Sequence, residues 1–407
     1  MPLNFYSIDS FVYNKNMNIA YVITGLGIGG AEKVTVNIAN RISRLGNNVI
    51  IIYLVGENLN QQNIDTSIKT YGINMKKNPV SFFICLLKVR KILKNFKPDI
   101  VHGQMFHANI FIRILRLFVK IPKLISTEHN SYIGGDFRMF LYRTTDFLSD
   151  LNTNVSQEAT DYFVKKKTFS AKKSRAVYNG IDLEKFKFDP QARQEIRQQY
   201  KIDDDDFMFL NVGRLVPAKD QKTLIEAFAI LNLSLCTKGT KSQSAELWNQ
   251  LYCVRSRSAQ DDKRTPKLMI VGDGELRSDL EDLIKAKNIS DKVIFAGKQD
   301  NTEKYYSAAD CFVLSSAWEG FGIVVVEAMA CKLPVVATDA GGVREVLDDD
   351  SFIIPIKYSQ RLKNKMLYVM ELNKKQRAQL GKKNIKTVQR YDINIISNNW
   401  LKIYQQH

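Results

Sequence analysis

Short apolar runs rich in valine and isoleucine recur along the chain and alternate with longer segments of helical periodicity. Buried strands separated by amphipathic helices are typical of parallel sheets built from strand–helix–strand units. The pattern therefore predicts an α/β protein. The predicted strands are Ile19–Thr24, Val49–Val55, Ile100–His102 and Leu124–Thr127 in the first half, and Phe207–Val212, Leu268–Val271, Val293–Ala296, Cys311–Ser315 and Val335–Thr338 in the second.

The strands fall into two groups, and a chain of 407 residues is too long for one ordinary core. The segment VYNGIDLEKF between the groups contains an Asn-Gly turn and has no clean period. We expect an N-terminal domain over residues 1–180 with a loose extension at 1–16, a C-terminal domain over 181–388 with a polar surface insertion at 232–266, and a C-terminal helix over 389–407 that returns to the first domain.

Charge is spread unevenly along the chain. The net charge is +17, and residues 1–180 hold 24 Lys and Arg against 11 Asp and Glu, a net of +13. This asymmetry indicates an anionic partner, either nucleic acid or an acidic membrane surface, although a general contribution to solubility remains open. No RRM, KH or zinc-finger pattern accompanies the charge, so we expect no nucleic acid as partner.

The composition favours a soluble globular protein without a metal. Hydrophobic residues make up 45% and charged residues 25% of the chain, which excludes disorder and collagen-like repeats. The five cysteines are odd in number and irregularly spaced, so we expect reduced core thiols, and no HExxH or CxxC pattern predicts a metal site. No apolar run approaches the ~20 residues of a membrane-spanning helix and no signal core is present, so we expect the chain in the cytoplasm.

A glycine-rich loop follows the first predicted strand and contains Gly25, Gly27, Gly29 and Gly30. Backbone amides at the start of the next helix suit a phosphate. The spacing is not the GxGxxG of dinucleotide folds, and no clear acidic ribose ligand follows about 20 residues later, which disfavours a dinucleotide-dependent oxidoreductase. A tight turn that binds no ligand remains open.

Two cations, Arg214 and Lys219, lie between a buried strand and the following helix. Open α/β sheets bind ligands at the carboxyl ends of their strands, and a diphosphate needs neutralisation there when no metal is present. Further along, Glu319 and Glu327 are separated by seven residues across a Gly-Phe-Gly turn. A carboxylate in this position can accept both hydrogen bonds of a ribose diol.

These motifs together resemble family 4 of the retaining glycosyltransferases, which have the GT-B fold of two facing Rossmann-like domains. The resemblance implies that the N-terminal domain binds the acceptor and that the C-terminal domain binds the sugar nucleotide. The resemblance covers nearly the whole chain from Met17 and extends to enzymes that build bacterial surface polysaccharides. The motifs that carry it are, in order, GLGIGGAEK, PDIVHGQ, STEHN, NVSQEA, VYNGID, VGRLVPAKD, VGDGEL and the pair of glutamates.

The resemblance implies a set of site residues. The residues it places in catalysis are Arg214 and Lys219 on the diphosphate, Glu319 on the donor sugar, and His102 reaching that sugar from the opposite domain. The residues it places in substrate binding are Gly29 and Gly30 near donor phosphate or acceptor, Gly272 and Gly274 in the nucleotide pocket, Gly320, Phe321 and Gly322 at the sugar, and Glu327 on the ribose. His129 is expected to line the acceptor side, and a structural role for His102 remains open.

The resemblance also implies the reaction. A sugar moves from a nucleotide diphosphate, most commonly a UDP-sugar, with retention of configuration and without metal or cofactor. The expected acceptor is a lipid-linked saccharide or polysaccharide at the cytoplasmic face of the inner membrane. The chain departs from the family pattern at Lys332, where glycine is common, and at Ile353–Gln360, which lacks a proline-glycine-aspartate pattern.

Two basic amphipathic helices are predicted in the first half, over Val80–Lys97 and Asn109–Lys123. Further basic residues follow at Lys165–Lys167 and Lys172–Arg175. Helices of this composition contact anionic lipid, so an anionic inner leaflet is an expected partner. The alternative is that both apolar stripes pack on the first sheet.

Overall fold

The computed structural model describes residues 16–27, 29–131, 133–237 and 264–406. The expected extension at 1–16, apart from its last residue, and most of the expected insertion at 232–266 lie outside the described residues. The chain divides into two compact units. Unit 1 consists of Met1–Leu183, Glu319–Ile323 and Val388–His407, and unit 2 of Glu184–Trp318 and Val324–Thr387.

Unit 1 is built on a sheet of seven parallel strands. The strands are β1 (Asn18–Ile23), β2 (Asn48–Tyr53), β3 (Lys69–Gly72), β4 (Ile100–Gln104), β5 (Lys123–Glu128), β6 (Leu151–Asn154) and β7 (Ser174–Ala176). The helices between them are α1 (Gly30–Arg44), α2 (Pro79–Phe96), α3 (Phe106–Leu115), α4 (Asp136–Thr145) and α5 (Gln157–Lys165). The order is β3-β2-β1-β4-β5-β6-β7, so the direction of winding reverses between β1 and β4.

Alternating residues of β1 belong to two different cores, as the period of a strand requires. Ile19, Tyr21 and Ile23 pack into a core that includes residues of α1 and of the C-terminal helix. Ala20 and Val22 pack into a second core, with residues of α2 and α3. The central strand is therefore covered on both faces, which explains its continuous apolar run.

Unit 2 contains a six-stranded parallel sheet. Its strands are β8 (Phe207–Val212), β9 (Pro266–Val271), β10 (Val293–Gly297), β11 (Cys311–Leu314), β12 (Val335–Thr338) and β13 (Ile353–Ile354). Its helices are α6 (Pro190–Gln199), α7 (Gln221–Thr237), α8 (Arg277–Ala286), α9 (Thr302–Ala308), α10 (Ile323–Ala330, whose first residue belongs to unit 1), α11 (Val343–Leu347), α12 (Ser359–Glu371) and α13 (Lys374–Val388, whose last residue belongs to unit 1). The order is β10-β9-β8-β11-β12-β13, with the reversal between β8 and β11.

The last helix, α14 (Ile393–Gln405), belongs to unit 1. Its approach is fixed by backbone hydrogen bonds that Ile181 N–H donates to Tyr391 O and Ile393 N–H donates to Ile181 O. Farther along the helix, the Tyr404 hydroxyl lies 2.8 Å from that of Tyr21 in β1. The C-terminal segment thereby covers the central strand of the first sheet.

The two parallel sheets confirm the predicted α/β class. Every predicted strand is present to within two residues at each end. Among the cysteines whose side chains the structure describes, Cys85, Cys311 and Cys331 are buried free thiols.

The helix predicted over Val80–Lys97 is confirmed as α2. Asn78 caps it by accepting a hydrogen bond from Ser81 N–H, and Lys97, which follows the last helical residue Phe96, takes a left-handed conformation with φ 52°. Leu86, Val89 and Leu93 pack on the sheet, as the alternative to a lipid contact predicts.

The prediction of a second basic helix over Asn109–Lys123 is wrong. Helix α3 ends at Leu115, and Lys123 begins β5. Arg113 is fully buried and donates hydrogen bonds to Asn152 Oδ1 at 2.5 Å and to the Tyr142 carbonyl at 3.1 Å. Because polar partners inside the domain satisfy this guanidinium, its charge is not available to a membrane.

Candidate functional site

In unit 2, two loops meet where the order of the sheet reverses. The loop after β8 carries Arg214, which is exposed, and Lys219, which is half-buried. The loop after β11 is held to it by hydrogen bonds from Ala317 N–H to Ala218 O at 2.9 Å and from Ser315 Oγ to Lys219 O at 2.9 Å. Ligands of open α/β sheets bind at this reversal point. The structure thus brings both predicted cations to the ligand-binding edge of the second sheet.

Gly272 and Gly274 let the loop after β9 pack against the loop that carries Arg214. A Cβ at Gly272, whose φ is 140°, would lie 1.9 Å from Gly213 O, and a Cβ at Gly274 would lie 2.5 Å from Leu215 O. Leu215 N–H also donates to Asp273 O at 3.0 Å. Close packing of the loops therefore accounts for both glycines, and the predicted nucleotide contact stays a prediction.

Glu327 lies half-buried in α10 and is oriented by a neighbouring tyrosine. The Tyr306 hydroxyl of α9 donates a hydrogen bond to Glu327 Oε2 at 2.7 Å. Burial, with the nearby Glu327 carboxylate, raises the pKa of Tyr306 well above its usual range, so the hydroxyl remains a donor. Tyr306 was not predicted as a site residue, because 21 positions separate it from Glu327 in the sequence.

The segment Glu319–Ile323 belongs to unit 1. Its backbone packs against the end of β5: a Cβ at Gly320 would lie 1.9 Å from His129 O, and Ser131 Oγ donates to Glu319 O at 3.2 Å. Phe321 is buried, with its ring centroid 5.3 Å from that of Tyr391. Gly322 has φ 79°, a conformation that favours glycine. Glycines and a buried aromatic ring therefore fix the path of this segment.

The glycine loop of unit 1 carries a carboxylate of its own. A Cβ at Gly29 would lie 2.2 Å from Glu32 Oε2, so the Glu32 side chain lies over the start of α1. A carboxylate there interacts favourably with the helix N-terminus, and it repels a phosphate. At Gly30 a Cβ would meet only Ile323 Cγ2, at 4.0 Å. The expected phosphate contact of these glycines requires Glu32 to move.

His102 is enclosed within unit 1. It is 1% exposed; its Nδ1 lies 2.7 Å from the Tyr404 hydroxyl, and its Nε2 lies 2.6 Å from Thr127 Oγ1. Burial lowers its pKa to about 3, so the ring is neutral. A void of about 10 Å³ beside it has room for one water molecule. These contacts favour the structural role that the sequence left open for His102, and its contact with a sugar stays a prediction.

The neighbouring strand offers a different histidine. His129 Nε2 lies 2.7 Å from Gln104 Oε1, and burial lowers the pKa of His129 to about 4. Its Nδ1 is buried and has no hydrogen-bond partner. Because Nε2 bonds to an acceptor oxygen, the proton resides on Nε2 and Nδ1 is left as an acceptor. The sequence placed His129 at a strand end, but it could not show which histidine has an unused ring nitrogen.

Neither a metal-binding cluster nor a membrane-spanning helix occurs in the part of the chain that the structure describes. No group of three or more His, Cys, Asp or Glu residues within it is arranged to hold a metal ion. No helix in the same ranges is long and apolar enough to cross a bilayer.

Two parallel sheets, each with a reversal in its strand order, match the GT-B fold. Known proteins support this assignment. The family model described as "Glycosyl transferases group 1" matches residues 192–387, and the model described as "Glycosyltransferase Family 4" matches residues 28–185. The chain belongs to the family 4 glycosyltransferases.

Individual relatives are distant. An uncharacterized glycosyltransferase of Methanocaldococcus jannaschii, MJ1059, is 28% identical over 67% of this chain and 64% of its own length. A Campylobacter jejuni enzyme, named N-acetylgalactosamine-N,N'-diacetylbacillosaminyl-diphospho-undecaprenol 4-alpha-N-acetylgalactosaminyltransferase, is 28% identical over 81% of this chain and 83% of its own. The crystal structure of Anabaena Alr3699/HepE with UDP-glucose has a TM-score of 0.76 and 22% identity, covering 95% of this chain and 99% of that one.

Proposed function

We propose that this protein is a retaining, metal-independent glycosyltransferase that moves a sugar from a UDP-sugar to a hydroxyl of a lipid-linked saccharide in cell-surface glycan synthesis. The observation that carries the proposal is the pair of cations, Arg214 and Lys219, at the reversal point of the second sheet. The similarity to a structure that contains UDP-glucose supports the donor, and the name of the Campylobacter enzyme supports the acceptor.

The cations hold the donor diphosphate and stabilise the leaving group. The stem of Lys219 runs beside Gly213, with Cγ and Cδ 3.7 Å from where a Cβ would stand. A glycine at this position leaves room for the lysine beside the strand end. As the bond to the sugar breaks, negative charge grows on the diphosphate, and fixed cations lower the barrier by a few kcal/mol each. Protein cations thereby supply the neutralisation that a metal ion supplies in other transferases.

Glu327 binds the ribose of the nucleotide. Its Oε2 accepts the Tyr306 hydrogen bond, and a carboxylate has further lone pairs on both oxygens. Ribose hydroxyls donate to these lone pairs. A charged acceptor makes such bonds stronger than a neutral amide does, so the orientation of Glu327 sets the affinity for the nucleotide.

Glu319 and the backbone amides near Gly322 bind hydroxyls of the donor sugar. The resemblance to family 4 supports this assignment.

Retention follows from departure and attack on the same face of the sugar. In this reaction the sugar–phosphate bond breaks as the acceptor oxygen approaches, and an oxygen of the leaving diphosphate takes the proton of the acceptor hydroxyl. The new glycosidic bond forms where the old one broke. Arg214 and Lys219 stabilise the diphosphate throughout.

Helix α2 docks the enzyme on an anionic membrane. Its outward face forms an apolar ridge, which we call the α2 ridge. Each residue of this ridge is between 49% and 70% exposed. Residues 76–97 also carry seven Lys and Arg and no Asp or Glu. An exposed apolar face flanked by cations is typical of helices that lie in the membrane interface. The α2 ridge consists of Val80, Phe83, Ile84 and Leu87 from α2 with Leu117 and Phe118 after α3.

A transfer assay tests the proposal. Purified protein is incubated with a panel of UDP-sugars and a polyprenyl-diphosphate-linked saccharide, with and without EDTA. The expected result is a product one sugar larger, formed equally in EDTA. Activity that EDTA abolishes and manganese restores would refute the metal-free site, and no transfer from any donor would refute the proposed function.

A further inference from the structure

A chain of hydrogen bonds runs through unit 1, from the residue after β5 to the last helix, α14. His129 Nε2 lies 2.7 Å from Gln104 Oε1, and Gln104 Nε2 lies 3.0 Å from His102 Nε2. His102 Nδ1 lies 2.7 Å from the Tyr404 hydroxyl, which lies 2.8 Å from the hydroxyl of Tyr21. We call this chain the relay; its members, in order, are His129, Gln104, His102, Tyr404 and Tyr21.

Each of the two imidazole rings in the relay carries a single proton. Burial lowers the pKa of His102 to about 3 and that of His129 to about 4, so both rings are neutral. A neutral imidazole donates through one ring nitrogen and accepts through the other. The tautomer of each ring is therefore decided by what its neighbours donate or accept.

Gln104 makes the tautomers of the two rings depend on each other. Its amide nitrogen can only donate and its amide oxygen can only accept. Because the nitrogen faces His102 and the oxygen faces His129, His102 Nε2 accepts while His129 Nε2 donates. If the amide turned over, both rings would have to change tautomer together. The Thr127 hydroxyl, 2.6 Å from His102 Nε2, can donate or accept and is compatible with either arrangement.

The end of the relay at His129 favours one direction of donation. With the amide as placed, His102 Nδ1–H donates to the Tyr404 hydroxyl, and His129 Nδ1 keeps a lone pair. Among the residues that the structure describes, this buried nitrogen has no hydrogen-bond partner. In the reverse direction it would carry a buried N–H without an acceptor, and an unpaired donor is rarer in proteins than an unpaired acceptor. The relay therefore presents His129 Nδ1 as an acceptor.

We propose that Gln104, His102 and Tyr404 are positioning residues that hold His129 in the tautomer protonated on Nε2. A hydroxyl of the C-terminal helix thereby determines the hydrogen-bonding character of a side chain at the edge of the first sheet. Any group that meets His129 Nδ1 must then donate a hydrogen bond. The proposal goes beyond the proposed function, and its test needs no substrate.

Chemical shifts of the ring nitrogens test the relay, because protonated and unprotonated nitrogens of a neutral imidazole resonate far apart. The full chain has four histidines, so NMR of protein labelled with isotopic histidine gives a simple spectrum. His107→Gln, His407→Gln and His129→Gln assign three rings, and the fourth is His102. In the wild type we expect one tautomer to dominate at each ring by more than about tenfold, with the proton on Nδ1 of His102 and on Nε2 of His129.

Tyr404→Phe removes one hydroxyl and keeps the ring. His102 Nδ1–H then has no acceptor, so one buried N–H is unpaired whichever way the relay runs. The ratio of the two tautomers should fall at least about tenfold, and by the same factor at His102 and at His129. Tyr305→Phe is the matched control, because Tyr305 is buried in unit 2 and its hydroxyl lies 3.3 Å from another tyrosine hydroxyl; neither ring should change.

Gln104→Met separates the coupling from a general disturbance of unit 1. Methionine occupies a similar space and has no amide to join the two rings. In this background Tyr404→Phe should still alter His102 and should leave His129 unchanged, which makes a double-mutant cycle.

Three results would overturn the proposal. The first is a His129 tautomer ratio that Tyr404→Phe leaves unchanged, or changes equally with and without Gln104. The second is a different factor of change at the two rings. The third is wild-type protein in which His129 is protonated on Nδ1. Tyr21→Phe removes the acceptor of the Tyr404 hydroxyl, should lower both ratios, and keeps the test valid if Tyr404→Phe does not fold.

Discussion

The buried carboxyl of Glu128 predicts an unusual dependence of stability on pH. Burial raises the pKa of this group from its ordinary 4.5 to about 7, against the opposing effects of the Tyr142 hydroxyl, the His129 amide and the nearby Arg138. Between these two values the unfolded chain is ionised at this position, whereas the folded chain retains the proton. The folded state therefore binds more protons, and its stability falls as the pH rises.

The size of the effect follows from the shift in pKa. Each unit is worth about 1.4 kcal/mol, so a rise of about 2.5 units corresponds to about 3 kcal/mol. This contribution is fully present below pH 4.5 and is lost once the pH passes 7. Glu128→Gln has similar size and no titratable proton. The free energy of unfolding of the wild type, measured relative to the variant, should fall by about 3 kcal/mol between pH 4.5 and 8.

Native-state hydrogen exchange measures this difference locally. A chain with two units need not unfold in one step, so peptides from β4 and β5 should be followed in increasing urea at each pH. Glu158→Gln on the surface of α5 controls for the loss of a charge. If the wild type and Glu128→Gln differ by the same free energy at pH 4.5 and pH 8, the carboxyl is not held neutral by burial, and the reasoning fails.

Three further changes give distinct results. Tyr306→Phe should weaken binding of UDP about tenfold and leave binding of 2',3'-dideoxy-UDP unchanged in calorimetry, because its hydroxyl orients Glu327 for the ribose; an equal loss for both ligands would assign Tyr306 a general structural role. Lys332→Gly should raise the free energy of unfolding of unit 2 by about 1 kcal/mol in urea titrations, because Lys332 has φ 64°; a lower stability would contradict this. The wild-type protein should remain partly bound to anionic vesicles in high salt, and Phe83→Asn should reduce this salt-resistant binding. If high salt removes all of the wild-type binding, the α2 ridge does not insert into the membrane.

The apolar strands were predictable because burial on both faces leaves a continuous hydrophobic run. Four strands were missed, namely β3, β6, β7 and β13. In β6, Asn152 and Thr153 are buried but polar, and their side chains bond to Arg113 and Thr127. A strand whose core-facing groups are polar has no apolar signal. Edge strands such as β7, with three residues, and β13, with two, are too short for a period.

The donor loops were also predictable, since glycines and cations after a buried strand have a recognisable order. Contacts between residues that are distant in the sequence could not be predicted. The bonds of His102 to Tyr404, which lies 302 positions away, explain why this histidine is enclosed, and no local pattern reveals them. Glu128 looked like part of a strand end, and only the packing of α4 over it creates a pocket with a buried carboxyl.

The stereochemistry of the product tests the central claim most directly. The protein is incubated with a UDP-α-sugar and a polyprenyl-diphosphate-linked saccharide in EDTA, and the anomeric configuration of the new linkage is read from the proton NMR coupling constant at C1. The account predicts an α linkage that forms without metal. It also predicts that Arg214→Ala lowers kcat/KM at least tenfold, which corresponds to about 1.4 kcal/mol of barrier. A β linkage, or transfer that does not depend on Arg214, would contradict it.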